Sequence, residues 1–266
     1  MRAVLRAPEL ADWALAHGRA ALTGAEIAQL LDVPEDQVRR RLHAPAQRSE
    51  WVLPTRGLWI PVPPEYRTWG APPGIEIIDA MMRHRGIRYY VGWLSAAALY
   101  GAGHQAPQVF HVAVDRQMRD RVVGRTRFAF AQRDVLRIPT IEHPTRSGTA
   151  HVSTVAATML DVAGDVERVG GIDNAATVVL ELAEHDRFDI DELARLAARL
   201  PAAAGRRTGF LLERLGWSGD HDLDALREAV RHAVASPSLL DPTRPDRGRL
   251  DTGWMVRVNA DVADES

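Results

Sequence analysis

The sequence predicts an α+β protein: an N-terminal winged helix-turn-helix domain, then a larger mixed α/β domain with a small sheet and a helical C-terminal part. Three observations predict this fold class. Residues 23–61 combine two short helical patterns with a hairpin pattern, residues 109–138 contain short strand-like segments, and residues 154–234 carry successive amphipathic stripes. Prolines and glycines concentrate in residues 61–74, which predicts a linker between domains at 1–66 and 75–266.

The helix-turn-helix prediction depends on its start and stop signals. Thr23 and Glu26 have the spacing of a capping box, which begins the first helix. Asp32-Val33-Pro34 predicts a turn, because the residue before a proline is pushed out of the helical region. Pro34 also has the backbone angle that opens a helix, predicted over residues 35–44. Two short helices across a tight turn are typical of helix-turn-helix proteins.

A hairpin follows these helices in the sequence. Trp51-Val52-Leu53 and Leu58-Trp59-Ile60 are apolar runs that flank the turn Pro54-Thr55-Arg56-Gly57. A four-residue turn containing glycine between two such runs predicts a β-hairpin. Placed after a recognition helix, the hairpin is expected to act as a wing.

The faces of the second helix predict a DNA contact. Val38 and Leu42 are expected to pack inward, which turns Gln37 and Arg40 outward at about 100° per residue. Central side chains on such a helix reach base edges, while flanking arginines hold phosphates. The predicted DNA-binding residues are Gln37, Arg39, Arg40, Arg41, Arg48 and Arg56. The alternative is a solvated basic face with no nucleic acid partner.

Further elements are predicted from periodicity and caps. Residues 75–85 predict a helix, 89–91 a short strand, and Ser95 the cap of a helix reaching Tyr100. Strands are expected at residues 109–114, 127–131 and 135–138, and a closing strand at 252–258 that returns to this sheet. Helices are expected at 154–162, 172–184, 190–200, 205–215 and 223–234.

Composition excludes several classes of chemistry. The chain has no cysteine, and all 33 basic residues are arginine. The absence of lysine and cysteine excludes a P-loop lysine, a Schiff base, a thiol nucleophile and a zinc–thiolate site. No histidine pair has the spacing of a zinc site, and the glycines at residues 101–106 follow a helix instead of the strand that a dinucleotide fingerprint requires. We therefore expect no enzymatic activity, cofactor or metal, and, without a signal peptide or membrane span, a cytoplasmic location.

Charge is unevenly distributed along the chain. Residues 71–149 carry 11 arginines and 6 acidic residues, whereas residues 150–266 carry 13 arginines and 21 acidic residues. This asymmetry favours nucleic acid as the partner of the front half and protein as the partner of the back half. Arginines between Arg116 and Arg127 form the densest positive cluster, which is either a second phosphate contact or a solvated loop.

Four blocks of sequence carry a resemblance to a known family. They are Arg56-Gly57-Leu58-Trp59 in the hairpin, Tyr89 to Gly101 (YYVGWLSAAALYG), Gly205 to Gly216 (GRRTGFLLERLG) and Trp254 to Asn259 (WMVRVN). In this order the chain resembles the AbiEi antitoxins of bacterial toxin–antitoxin and abortive-infection phage-defence systems. The resemblance covers nearly the whole chain.

The resemblance implies two functions. An N-terminal domain of this family binds inverted repeats in the promoter of its own operon and represses transcription. The C-terminal domain neutralises a cognate nucleotidyltransferase-like toxin, often without a stable complex. Two alternatives stay open: a winged-helix regulator whose C-terminal domain senses a small ligand, and an enzyme that acts on nucleic acid.

Overall fold

The structure is a computed structural model that describes residues 5–103, 108–146, 148–217, 222–231 and 236–262. Helices and strands are both abundant, so the predicted α+β class is confirmed. The chain forms two compact units. The first unit comprises Met1–Tyr90, Gln108–Val135 and Glu142–His151, and the second comprises Val91–Pro107, Leu136–Ile141 and Val152–Ser266. Residues 66–75 lie inside the first unit, so the domain boundary drawn there stays a prediction.

The first unit begins with helices and a three-stranded antiparallel sheet of order β1-β3-β2. The capping box is present: Oγ1 of Thr23 accepts from the amide of Glu26 at 3.2 Å, and Oε2 of Glu26 accepts from the amide of Thr23 at 2.7 Å. The elements are α1 (Leu10–Ala16), β1 (Leu22–Thr23), α2 (Gly24–Leu31), α3 (Glu35–Arg41), α4 (His43–Gln47), β2 (Trp51–Thr55) and β3 (Leu58–Pro61).

The turn between α2 and α3 follows from its sequence. Asp32 ends α2 in the left-handed conformation at φ +51°, which a short polar side chain tolerates better than a branched one. Helix α3 is shorter than predicted, because the chain leaves it at Leu42 and enters the short helix α4. Val38 and Leu42 are buried with Leu31, Trp51 and other apolar residues in one core, as their spacing indicates.

The rest of the first unit is built around strands. The predicted linker contains a 3-10 helix at Pro64–Trp69, which is followed by α5 (Gly74–Arg85). A six-stranded mixed sheet has the order β6-β7-β5-β4-β9-β8. Its strands are β4 (Tyr89–Val91), β5 (Val109–Val114), β6 (Arg121–Val123), β7 (Thr126–Gln132), β8 (Thr140–Thr145) and β9 (Gly148–Ser153).

One strand prediction in this region is wrong. Residues 135–138 were expected to form a strand, but Val135–Arg137 is a 3-10 helix. Leu136 is 70% exposed, so the apolar side chains on which the prediction relied do not share a buried face. Strands β8 and β9 follow instead; β8 was missed because its mostly polar residues show little apolar alternation.

The second unit is mainly helical. Its helices are α6 (Trp93–Leu99), α7 (Val155–Gly164), α8 (Ile172–Ala183), α9 (Ile190–Ala197), α10 (Ala202–Arg214) and α11 (Asp224–Arg231), and its strands beyond the large sheet are β10 (Ser238–Leu239), β11 (Arg249–Asp251) and β12 (Val256–Val258). Ser95 does not cap α6, because the helix begins two residues earlier and Ser95 is buried inside it. The expected closing strand does not join the large sheet; β12 pairs with β10 and β11 in a separate sheet.

Among the described residues, no helix has the length and apolar character needed to cross a bilayer.

Candidate nucleic-acid interface

A groove of about 510 Å³ runs between helix α3 and the β2–β3 hairpin. Arg39 lines it from the helix, and Arg56 lines it from the turn of the hairpin. Leu53 and Trp59 contribute apolar surface, and Asp36 lies on the helix side. Helix α3 and the β2–β3 hairpin therefore lie on two sides of one concave surface, with an arginine on each side.

The arginines of α3 are all exposed. Arg39 and Arg41 make no side-chain hydrogen bond or ion pair with any residue that the structure describes, and the same holds for the side chain of Arg56. Nη2 of Arg40 donates to Oε1 of Gln37 at 3.1 Å, so these two predicted base-reading residues form one unit on the helix surface. Guanidinium groups without acidic partners keep their full capacity to bind phosphate.

Arg48 differs from the other predicted contacts. Its Nε and Nη2 donate to the carboxylate of Glu50 at 2.8 and 3.2 Å. This hydrogen bond raises the pKa of Arg48, and the negative charge of Glu50 acts in the same direction. A phosphate contact by Arg48 has to compete with this pair, and its role stays a prediction.

Several contacts within the first unit hold the hairpin turn in place. The amide of Gly24 donates to the carbonyl of Gly57 at 3.0 Å, which joins the start of α2 to the turn. Nη1 of Arg121, on β6, donates to the carbonyl of Pro54 at 2.7 Å. Burial lowers the pKa of Arg121, and the nearby positive charge of Arg85 lowers it further. The guanidinium of Arg121 stays protonated despite this lowered pKa, so it donates a hydrogen bond at the base of the turn.

The arginine cluster between Arg116 and Arg127 is not one continuous patch of free charge. Arg116 donates to the carboxylate of Asp115 at 3.2 Å and to the carbonyl of Gly86 at 3.1 Å. Arg127 lies 3.7 Å from Asp120, and Arg121 is directed to the hairpin. These pairs leave Arg119 and Arg125 as the exposed members of the cluster without an acidic partner in the described ranges.

The Gly205–Gly216 block forms most of α10 in the second unit. Gly209 lies directly under the indole of Trp254, so a Cβ added there would be 2.1 Å from Cζ3. Nε1 of Trp254 donates to Oε2 of Glu213 at 2.6 Å, and the guanidinium of Arg227 stacks 4.7 Å from the indole. Two of the sequence blocks, distant along the chain, thus meet in one buried contact.

Two neighbouring arginines of the same helix are buried, which the sequence did not indicate. Arg206 is 1% exposed and Arg207 is 5% exposed. Arg207 donates to the carbonyls of Ala163 and Gly164 at 3.0 and 3.3 Å, where α7 ends. A cation at this position satisfies carbonyls that have no partner inside the helix, so Arg207 acts as a buried cap.

Residues 90–214 match the model of the AbiEi antitoxin C-terminal domain. This part of the chain belongs to the AbiEi antitoxin family. The predicted family is thereby confirmed, and the matched AbiEi region contains both the Tyr89–Gly101 block, apart from its first residue, and the arginine-rich start of the Gly205–Gly216 block. This match over residues 90–214 supports an antitoxin role in a toxin–antitoxin system.

A solved structure has the same fold as the whole chain. The RV2827C protein from Mycobacterium tuberculosis is 14% identical in sequence and superposes with a TM-score of 0.65, covering 96% of this chain and 93% of that one. At this identity the likeness concerns the fold alone. No curated protein sequence matches the chain.

Proposed function

We propose that this antitoxin binds the promoter DNA of its own operon through a winged helix-turn-helix formed by the N-terminal part of the first unit, and that it represses transcription there. Helix α3 enters the major groove, and the β2–β3 hairpin is the wing. Cytoplasmic DNA carrying inverted repeats is the expected partner, as in the family that the sequence resembles.

One observation carries this proposal: Arg39 and Arg56 line the same groove from two different elements, and neither has an acidic partner among the described residues. A phosphate backbone between helix and wing would meet a guanidinium on each side. Arg40 and Gln37, on the outward face of α3, then lie where base edges are read.

The experiment is a mobility shift on the upstream DNA of the operon at several salt concentrations. The double variant Arg39→Ala/Arg56→Ala is expected to bind at least about a hundredfold more weakly, because it loses two hydrogen bonds to charged groups and each contributes ~1.5–3 kcal/mol. Its slope of log affinity against log salt should become shallower by about 2, since each phosphate contact contributes ~0.9. Arg199→Ala is the matched control, because Arg199 is an exposed arginine of the second unit without a described side-chain partner. Equal affinity and slope for all three proteins would contradict the proposal.

We propose further that the toxin neutralised by the AbiEi domain is a nucleotidyltransferase-like enzyme encoded beside the antitoxin gene. Co-expression of that reading frame with the antitoxin tests this by colony formation. The Arg39→Ala/Arg56→Ala variant is expected to protect cells as well as the wild type when both are made from an unrelated promoter. Loss of protection in that variant would show that the two functions share the groove.

The ligand-sensing alternative has less support. A cavity of about 300 Å³ exists in the first unit, but its walls come from Leu15, Ile60, Pro61, Tyr66 and neighbouring residues before residue 75. From residue 75 onward, Glu76 and Arg146 line this cavity. The alternative requires a pocket in the C-terminal part, which this cavity does not supply.

A further inference from the structure

The outward face of α3 carries an acid beside its basic groups. Asp36 and Arg40 are four residues apart, so they are neighbours on the helix surface opposite the buried Val38. An acid and an arginine at this spacing usually form an ion pair. Here the guanidinium of Arg40 hydrogen-bonds to Gln37 instead, and no ion pair with Asp36 is formed.

The Gln37–Arg40 contact determines what this pair offers to a ligand. Oε1 of Gln37 accepts from Nη2 of Arg40, which uses one of the two lone pairs of that oxygen. The pair also carries the amide NH₂ of Gln37 and the remaining N–H groups of Arg40. The pair therefore presents mainly donors.

Asp36 presents the opposite chemistry. It is exposed, it lines the groove, and its carboxylate has no hydrogen-bond or ionic partner in the described part of the chain. The adjacent acid, Glu35, is placed differently, because a Cβ on Gly24 would lie 2.9 Å from its Oε1. Glu35 is also exposed and lines the groove, but its Oε1 lies beside the start of α2, whereas Asp36 lies next to Arg40 on the outward face of α3.

A free carboxylate in a DNA-binding groove repels phosphate, so it weakens nonspecific binding. This repulsion is offset only where a base edge donates a hydrogen bond to the carboxylate. In the major groove a G·C pair presents two acceptors on guanine, O6 and N7, beside one donor on cytosine, N4. Arginine is the usual partner of those guanine atoms, and aspartate accepts from cytosine N4.

We propose that α3 reads a G·C pair, or two adjacent G·C pairs, in each half-site of the operator. The donor pair Gln37–Arg40 faces guanine and Asp36 faces cytosine N4. This inference rests on the proposed DNA-binding function and adds its base preference. It makes Asp36 a specificity residue that lowers affinity for wrong sequences more than it raises affinity for the right one.

Selection from a randomised duplex library tests the inference with the full-length chain. The wild type is expected to enrich a G·C core. For Asp36→Ala, the preference for C·G over T·A at the position that Asp36 reads should fall by about fivefold, the low end of one lost base contact. Its affinity for unrelated duplex should rise, because a negative charge has been removed. Asp261→Asn, another exposed acid, is the control and should select the same core as the wild type.

The outcomes separate this inference from the function on which it rests. Binding to no duplex at all would overturn the DNA-binding function and the base preference together. Tight binding with an A·T core would overturn the base preference and leave DNA binding intact. An unchanged G·C core in Asp36→Ala, with unchanged affinity for unrelated duplex, would remove Asp36 from the readout.

Discussion

The amide of Gly24 donates a 3.0 Å hydrogen bond to the carbonyl of Gly57, and this contact joins the first residue of α2 to the turn of the β2–β3 hairpin. Gly57 adopts φ +81°, a conformation that other residues enter only with strain. The same turn carries Arg56, which lines the groove. The position of Arg56 relative to α3 is therefore set by backbone geometry at Gly57.

Gly57→Ala is expected to weaken DNA binding without touching a charged residue. The alanine costs about 1–2 kcal/mol in the left-handed region, while its Cβ meets Nε2 of His84 at an ordinary 3.5 Å. The turn relaxes this strain by moving, which displaces Arg56. Mobility shifts measure the loss of affinity. Gly18→Ala is the control: its φ is +64° and no atom lies within 4 Å of the new Cβ, so it carries the same strain away from the groove. Equal DNA affinity in the two variants would contradict this account.

Arg121→Ala is expected to lower DNA affinity although Arg121 does not line the groove. Its loss leaves the carbonyl of Pro54 without the 2.7 Å donor that holds the base of the turn. We expect a decrease of several-fold, with a weaker effect on the salt slope than for Arg56→Ala, because Arg121 positions the hairpin and does not itself bind phosphate. Arg125→Ala, an exposed neighbour, serves as the comparison. A salt slope reduced as much as in Arg56→Ala would instead indicate that Arg121 contacts phosphate directly.

The elements that could be predicted from sequence are those whose signals are local. Thr23 and Glu26 specify the start of α2 through bonds that span three residues, and Pro34 and Gly57 specify turns by their own backbone preferences. The hairpin, α2 and the start of α3 were therefore predicted close to their observed bounds. The turn itself is shorter than the predicted four residues, because β2 extends to Thr55, which pairs with Leu58 and leaves Arg56 and Gly57 as the turn. The end of α3 was not, because nothing in residues 39–44 distinguishes one long helix from two short ones.

The parts that were missed depend on distant contacts. From sequence, Arg207 on α10 is expected to be exposed to solvent. Its burial is explained only by the carbonyls of Ala163 and Gly164, which accept its hydrogen bonds. Strand β12 has the pattern of a sheet member, but periodicity does not reveal that its partners are β10 and β11. Similarly, Asp36 is unpaired among the described residues because Arg40 hydrogen-bonds to Gln37. The spacing of the residues alone favours an ion pair between Arg40 and Asp36.

Gly209→Ala is expected to destabilise the second unit. Its Cβ would lie 2.1 Å from Cζ3 of Trp254, and the buried indole has little room to move because Glu213 and Arg227 hold it. Overpacking of this kind lowers the free energy of unfolding by about 1–3 kcal/mol. Urea unfolding followed by tryptophan fluorescence and circular dichroism measures it.

The double variant Gly209→Ala/Trp254→Leu tests the cause of that loss. Removing the indole makes space for the new methyl group, so the two substitutions together should cost less than the sum of their separate effects. If the losses of stability in the two single variants simply add, the clash with Trp254 is not the cause of the loss in Gly209→Ala.

Asp241 predicts a dependence of stability on pH. Burial alone would raise the pKa of its carboxyl, but hydrogen bonds from Thr243 and the charges of Arg244 and Arg207 bring the pKa below the ordinary 3.8. A pKa that is lower in the folded state stabilises the fold above the unfolded value and loses that contribution as the pH falls through the folded value. The stability advantage of wild type over Asp241→Asn should therefore be full at pH 7 and shrink below about pH 4. Asp261→Asn, at an exposed site, is the control; a constant advantage down to pH 3 would contradict the assignment.

The arginine cluster beyond β5 provides the last prediction, on the extent of the DNA contact. Arg116 is held by Asp115 and by the carbonyl of Gly86, so a phosphate contact would require breaking both. Arg119 is exposed and without an acidic partner among the described residues. We expect Arg116→Ala/Arg119→Ala to leave the salt slope of operator binding within experimental error of wild type, as a solvated loop would. A slope shallower by about 0.9 or more would instead assign at least one phosphate to this loop and extend the interface beyond the groove.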